Sequence, residues 1–331
     1  MDELALQFGV TKSVLVILIS VFAALVLGTA VRLTMLRHSD PEKRKTRIGS
    51  LIAWWVMAAI MAIAVLLGQY AGILLFAVLS VMGLREFLRI TGQRFHEQPL
   101  ELIAFCALPC HYAWILLGWQ EAFWMFIPAC VFLLLPVRLI LAGQMEGFIP
   151  AAAAATWGMI LIVYCFSHAA MLLTLDPAIN PAGGRAGWFL FLLILTEMND
   201  IAQALWGRRF GRHKVVPRVS PNKSWEGLIL GMLTTVALAW ILAPLLTSLA
   251  DVPTKASELG AARPSVMPVA AGVLISIGGF FGDLNMSAVK RDLGIKDAGH
   301  LIPGQGGILD RIDSLTYTAP LFYYFVYFTS R

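Results

Sequence analysis

Apolar runs long enough to cross a bilayer alternate with short polar links along nearly the whole chain, at roughly 14–31, 49–68, 70–84, 100–118, 122–142, 151–174, 187–206, 227–249, 266–283 and 313–330. A hydrocarbon core of about 30 Å takes about 20 apolar residues in a helix, so the pattern predicts about ten membrane-spanning helices and an all-α fold. The first run is followed by Arg32, Arg37, Lys43, Arg44, Lys45 and Arg47 rather than by a small-residue cleavage site, so it is expected to stay as a membrane helix. The last run is rich in aromatics, from Tyr317 to Phe328.

Two stretches break the pattern. In residues 282–314, charge and glycine concentrate suddenly. Read as a helix leaving the preceding run, Asp283, Ser287, Lys290 and Arg291 fall at i, i+4, i+7 and i+8 and share a face. Six breakers follow, Gly294, Gly299, Pro303, Gly304, Gly306 and Gly307, and they predict a loop whose backbone amides can approach a phosphate. Asp310 and Asp313 then stand three apart with Arg311 between them, and paired carboxylates beside such a loop suit a hard cation such as Mg2+. Arg311 and its neighbouring aspartates also suit plain salt bridges, and Lys296 beside Asp297 a solvated loop pair.

The second stretch, residues 197–227, begins with Glu197 and Asp200 inside an otherwise apolar run, with Asn199 and Gln203 nearby. Carboxylates in a membrane helix are costly unless they face protein, water or a cation, so they mark either a functional site or a helix-to-helix polar lock. Cations and turn residues follow as far as Lys223, and Ser224 with Gly227 can start the next helix. A triphosphate fits such a loop. Arg85, Glu86 and Arg89 read instead as charges capping a span at the interface, and are left out of the site.

The residues of both stretches resemble the signature of the phosphatidate cytidylyltransferases. Ser287, Lys290, Arg291, Lys296, Asp297, Pro303, Gly304, Gly306, Gly307, Asp310, Arg311 and Asp313 supply one motif. Asp200, Gly207, Arg208, Phe210, Gly211, Ser220, Pro221, Lys223, Ser224, Glu226 and Gly227 supply the other. The resemblance covers roughly 185–330, which divides the chain into N-terminal membrane helices (1–184) and a C-terminal catalytic region (185–331). One position departs: the family's loop histidine is Gln305 here, which can donate a hydrogen bond but cannot titrate.

The resemblance implies a membrane enzyme that couples CTP to phosphatidic acid, giving CDP-diacylglycerol and pyrophosphate. It implies Mg2+ held by Asp283 and Asp310, with Asp313 next. Lys223, Lys290, Arg291 and Arg311 would hold phosphates, Ser287 would donate to one, and Asp297 would orient a cation or ligand. Asp200, Arg208, Glu226, Lys296, Gly304, Gln305, Gly306 and Gly307 complete the substrate site. Readings that remain open are a CTP-dependent enzyme acting on another lipid phosphate or a lipid alcohol, a non-catalytic paralogue in regulation or lipid transport, and a homodimer.

Composition adds orientation. Hydrophobic residues make up 59% of the 331 and charged ones 14%, which excludes an ordinary soluble domain. With the N-terminus outside, all of the 25 Lys and Arg fall on the inner side except Lys12, Arg185, Lys255, Arg263 and Arg331. Both motif loops are therefore expected in the cytoplasm of a bacterial inner membrane. The net charge of +5 sits in these juxtamembrane loops, where anionic lipid rather than nucleic acid is the partner. Cys106, Cys110, Cys130 and Cys165 lie in predicted spans without metal-site spacing and are expected as buried thiols.

Overall fold

The computed structural model describes residues 5, 8–36, 41–95, 98–251, 266–299 and 306–330. Ten helical rods follow in order: α1 (Lys12–Leu36), α2 (Pro41–Leu66), α3 (Gln69–Phe95), α4 (Gln98–Leu117), α5 (Gln120–Leu141), α6 (Phe148–Thr174), α7 (Gly184–Phe210), α8 (Trp225–Leu246), α9 (Met267–Asp292) and α10 (Leu309–Thr329). In hydrocarbon the backbone must satisfy its own hydrogen bonds, and a helix does so within one segment. Among the described residues, nine of these rods are long and apolar enough to cross a membrane. The tenth, α10, is less apolar because its first turns carry Asp310, Arg311 and Asp313 and its body several tyrosines.

The expected boundaries shift at two places that matter. The run at 70–84 does not end there, because α3 continues as helix to Phe95 and carries Glu86 within it rather than at a cap. The last span begins at Leu309 rather than 313, so Asp310 lies in its first turn. Interruptions have local causes. A π-helical segment at Phe126–Val131 in α5 contains Pro128, which cannot donate to the helix ladder, and a second lies at Met159–Cys165 in α6.

Helices α7 to α10 pack in sequence, α7 on α8, α8 on α9 and α9 on α10, and α10 also packs on α6. Small residues set how closely they approach: a side chain at Gly231 would run into Gln203, and one at Gly282 into the backbone of Asp313 and Ser314. The buried apolar residues form one core from Val14 to Val326, running across the expected 184/185 boundary. The cysteines correct an expectation. Cys106, Cys110 and Cys130 are exposed on the outer face of the bundle and Cys165 is half-buried, because these helices present apolar residues outward as well as inward.

Candidate active site

The end of the bundle where α7 and α9 finish and α8 and α10 begin gathers the two charged stretches into one cavity of about 850 Å³. Local sequence explains the assembly. Ser224 caps α8 by accepting from the Gly227 N–H at 3.2 Å, the start read from the sequence. The chain before it folds back on itself, the Trp225 N–H donating to the His213 carbonyl at 2.9 Å and the Val215 N–H to the Lys223 carbonyl at 3.2 Å. Lys223 is thereby set at the cavity wall.

Two lysine–carboxylate pairs dominate that wall. Lys223 Nζ lies 2.7 Å from Asp283 Oδ2, donates to Gln203 Oε1 at 3.3 Å and sits over the Phe280 ring. Lys290 Nζ lies 2.7 Å from Asp310 Oδ1, with only 13% and 8% of the two side chains exposed. Asp283 also accepts from Ser287 Oγ at 3.2 Å. Asp313 is within electrostatic reach of Asp283, Asp200 and Lys290. On α7, Asp200 Oδ2 accepts from Ser314 Oγ at 2.7 Å, while its Oδ1 is buried with no partner. Arg311 Nε is likewise buried without a partner, and among the described residues Arg311 forms no ion pair with Asp310 or Asp313.

The polar lock expected as an alternative for this part of α7 does form, but from amides and hydroxyls. Asn199 Oδ1 accepts from Ser276 Oγ at 2.7 Å, Gln203 Nε2 at 3.0 Å and Thr235 Oγ1 at 3.1 Å, joining α7, α8 and α9. Glu197 lines the cavity, and so does Asp200, which is also tied to α10 through Ser314.

Of the residues singled out in the sequence, Asp200, Arg208, Lys223, Asp283, Lys290, Asp297, Asp310, Arg311 and Asp313 line the cavity. Several others have different work. Glu226, expected to bind substrate, accepts from the backbone N–H groups of Arg212 and His213 and from His213 Nδ1 at 2.6 Å, so its carboxylate holds the turn before α8. Arg291 turns away and donates to the Val219 carbonyl at 3.2 Å, tying the two charged stretches together. Lys296 is exposed away from the cavity. Gly304 and Gln305 lie outside the described residues.

Asp310 departs most from its expected role as a metal ligand. Besides its pair with Lys290, its Oδ2 accepts from the Ala298 N–H at 3.1 Å and the Gly307 N–H at 2.9 Å. Both oxygens are engaged, Oδ1 by Lys290 and Oδ2 by amides on either side of the glycine loop, and the Gly307 amide, expected to face phosphate, is used by the protein itself. Gly306, at φ +86°, makes the turn that brings its neighbour round.

Glu86 is the residue that sequence reasoning missed. It is 9% exposed, and its Oε2 accepts from the Leu309 N–H at 2.9 Å, at the start of α10. Gly299 and Gly307 pack so closely on its carboxylate that a side chain at either would collide with it. Arg89 Nη2 adds a bond to the Ala298 carbonyl at 3.3 Å. The signal was a carboxylate within a continuing helix, hidden by ending the span at 84.

Comparison with known proteins places this cavity in context. An uncharacterized protein of Escherichia coli K12, YnbB, is 40% identical over 310 residues, covering 93% of this chain and 97% of that one. A phosphatidate cytidylyltransferase of Haemophilus influenzae is 42% identical over 139 residues, 42% of this chain and 45% of the relative. A chloroplastic phosphatidate cytidylyltransferase of Arabidopsis thaliana, numbered 5, is 38% identical over 150 residues, 44% of this chain and 34% of the relative. The chain thus spans less than half the length of these two named enzymes. The match to the cytidylyltransferase family runs over residues 45–329, taking in both charged stretches and every helix from which the cavity's lysines and carboxylates project. By that match this helical membrane protein belongs to the cytidylyltransferase family and is a cytidylyltransferase.

Proposed function

We propose that the chain transfers the cytidylyl group of CTP to phosphatidic acid, yielding CDP-diacylglycerol and pyrophosphate. The observation that carries this reading is the pair of unpartnered buried atoms in one cavity, Arg311 Nε and Asp200 Oδ1. A buried donor and a buried acceptor without partners in the protein are costly, and a bound phosphate and its cation relieve both. The named relatives are called phosphatidate cytidylyltransferases, which supports the same substrates here.

In the proposed reaction a phosphate oxygen of the lipid attacks the α-phosphorus of CTP in line. The bond from that phosphorus to the bridging oxygen of the β-phosphate breaks, and pyrophosphate leaves with the electron pair. The attacking phosphate is already an anion at neutral pH, so no general base is needed. Positioning and charge neutralisation are what the site must supply. Lys223 exchanges its carboxylate partner for a phosphate oxygen, Lys290 turns a further N–H to a second while keeping Asp310, and Arg311 holds a third. Asp297, exposed at the mouth of the cavity, orients the incoming ligand.

Among the described residues no three His, Cys, Asp or Glu side chains close a metal cage. Mg2+ does not require one, since it binds through one or two carboxylates together with substrate phosphates and water. Asp283 and Asp313 fit as its protein ligands, and Asp310 as the residue that holds the loop beside them. When bound, the ion neutralises charge on the phosphates. The reading places the site end in the cytoplasm, at a bacterial inner membrane, because the basic links collect there.

The purified protein, given labelled CTP, Mg2+ and phosphatidic acid in detergent, is expected to move label into lipid only when phosphatidic acid is present. Label that stays aqueous, or that moves only onto a different lipid phosphate or a lipid alcohol, overturns the assignment.

A further inference from the structure

We propose that Arg32 on α1 and Trp54 on α2 form the subsite that receives the lipid substrate from the bilayer, the guanidinium taking its anionic headgroup and the apolar side chains of the cavity its acyl chains. The proposal rests on the reaction assigned above, and locates one of its two substrates.

Three observations converge on it. First, the cavity of the lysine–carboxylate pairs does not stop at α7 to α10. It is lined also by Arg32 and Trp54, together with the apolar Ile201, Leu205 and Leu228. A hydrophilic nucleotide has no use for these apolar side chains, whereas an amphiphile with a phosphate at one end matches a pocket lined by both charged and apolar groups. Second, Arg32 is unusual on its helix. No charged residue lies between Lys12 and Arg32, and among the described residues Arg32 has no hydrogen bond or ion pair. Snorkelling explains how an arginine is tolerated near the end of a membrane helix, but not why it lines the same cavity as Asp283 and Arg311. Third, the two tryptophans of α2 are divided in role. Trp55 Nε1 donates to Thr29 Oγ1 at 3.0 Å and its ring meets Phe22, fastening α2 to α1, which leaves neighbouring Trp54 to line the cavity.

The pair α1–α2 packs on α7 and α8 through α1, and most of its surface is exposed to the surroundings of the bundle, which in a membrane are lipid. A lipid phosphate moving laterally therefore meets Arg32 at the cavity edge before it reaches Lys223. Arginine suits the task because its fork of donors binds phosphate bidentately and keeps its charge at this depth. Arg32 lies outside the residues matched to the family, so the family match does not account for it.

The test uses the full chain in nanodiscs containing brominated phosphatidic acid or brominated phosphatidylglycerol. The quenching assigned to Trp54 is the difference between the wild type and Trp54→Phe. Kinetics are measured in parallel for the wild type, Arg32→Ala and Arg32→Lys. We expect saturable quenching by brominated phosphatidic acid, weaker quenching by the glycerol lipid, loss of that preference in Arg32→Ala and partial recovery in Arg32→Lys. Arg32→Ala should raise KM for phosphatidic acid about tenfold, as the loss of one charge-assisted contact implies, and leave KM for CTP and kcat within about twofold. Equal quenching by both lipids, or a change confined to kcat or to KM for CTP, overturns the subsite. Selective quenching by phosphatidic acid in a wild-type protein that does not turn it over instead overturns the assigned reaction and leaves the subsite standing.

Discussion

Asp283 and Asp310 are interchangeable on paper, each an aspartate on the edge of a charged stretch with a lysine in reach, and they separate only in three dimensions. Asp283 is 30% exposed to the cavity, and Asp310 is 8% exposed with both oxygens engaged. Their amide variants should therefore fail differently. Asp283→Asn should lower kcat/KM by about 100-fold or more, since a lost metal contact costs several kcal/mol at the transition state, and should raise the Mg2+ concentration needed for half-maximal rate. Its thermal stability in detergent should fall less than that of Asp310→Asn, because Asp283 is the more exposed carboxylate and Lys223 keeps Gln203 Oε1 and the Phe280 ring. Asp310→Asn leaves Lys290 as a largely buried cation without its counter-charge, and breaking such a pair costs on the order of 3 kcal/mol. It should lower the melting temperature as well as the rate. If Asp310→Asn melts like the wild type while shifting only the Mg2+ dependence, the expectation drawn from sequence, that Asp310 is a ligand, is the better one. Chelation with EDTA should abolish turnover by the wild type, with recovery on adding Mg2+.

At the scale of elements, α3 acts as a strut for a loop more than 200 positions away in the chain. Glu86 receives the Leu309 N–H, and Gly299 and Gly307 close over its carboxylate. Gly307→Ala puts a methyl group into that carboxylate, so we expect at least a tenfold loss of activity with the protein still folded. Gly143→Ala, at a positive φ of +71° in open space, carries a backbone penalty that Gly307→Ala does not, and should still be nearly silent in the activity assay. Equal effects from the two would mean that contact with the Glu86 carboxylate is not what matters and that the strut is irrelevant. Glu86 also shows what the sequence could and could not say. Run length predicts the helices well, because a bilayer imposes one length on every span, and glycine and charge density located both loops. Side-chain partners across 223 positions leave no local signal, so the assignment of Glu86 to scaffolding was out of reach, whereas Glu226 and Asp310 find their partners in nearby turns whose folding back the motif pattern alone does not specify. The cysteines failed for another reason: in a membrane protein an apolar residue faces lipid as readily as the core, and composition does not distinguish the two.

At the scale of the whole molecule, one end of the bundle carries the chemistry. Arg32 near the end of α1, Glu86 in the last turns of α3, Asp200 to Arg208 in α7 and Asp283 to Lys290 in α9 come from odd-numbered helices approaching that end, and α8 and α10 depart from it. Alternation of ten spans puts all these ends on one side of the bilayer, and that is also the side to which the Lys and Arg count assigns every cation but five. Two independent regularities, side-chain convergence and loop charge, thus select the same face. In a background with the four native cysteines replaced by serine, Arg212→Cys, on the exposed turn between α7 and α8, should be shielded from an impermeant thiol reagent in intact cells and react once the cells are permeabilised. Asp176→Cys, exposed on the opposite end between α6 and α7, should react in intact cells. The pair makes the test internally controlled, because a reagent that entered the cell would label both and one that failed to react would label neither. Reversed labelling, with position 212 reached from outside and 176 protected, would turn the cavity away from cytoplasmic CTP. The charge asymmetry would then need a cause other than insertion, and the proposed reaction could not run on the nucleotide pool available to it.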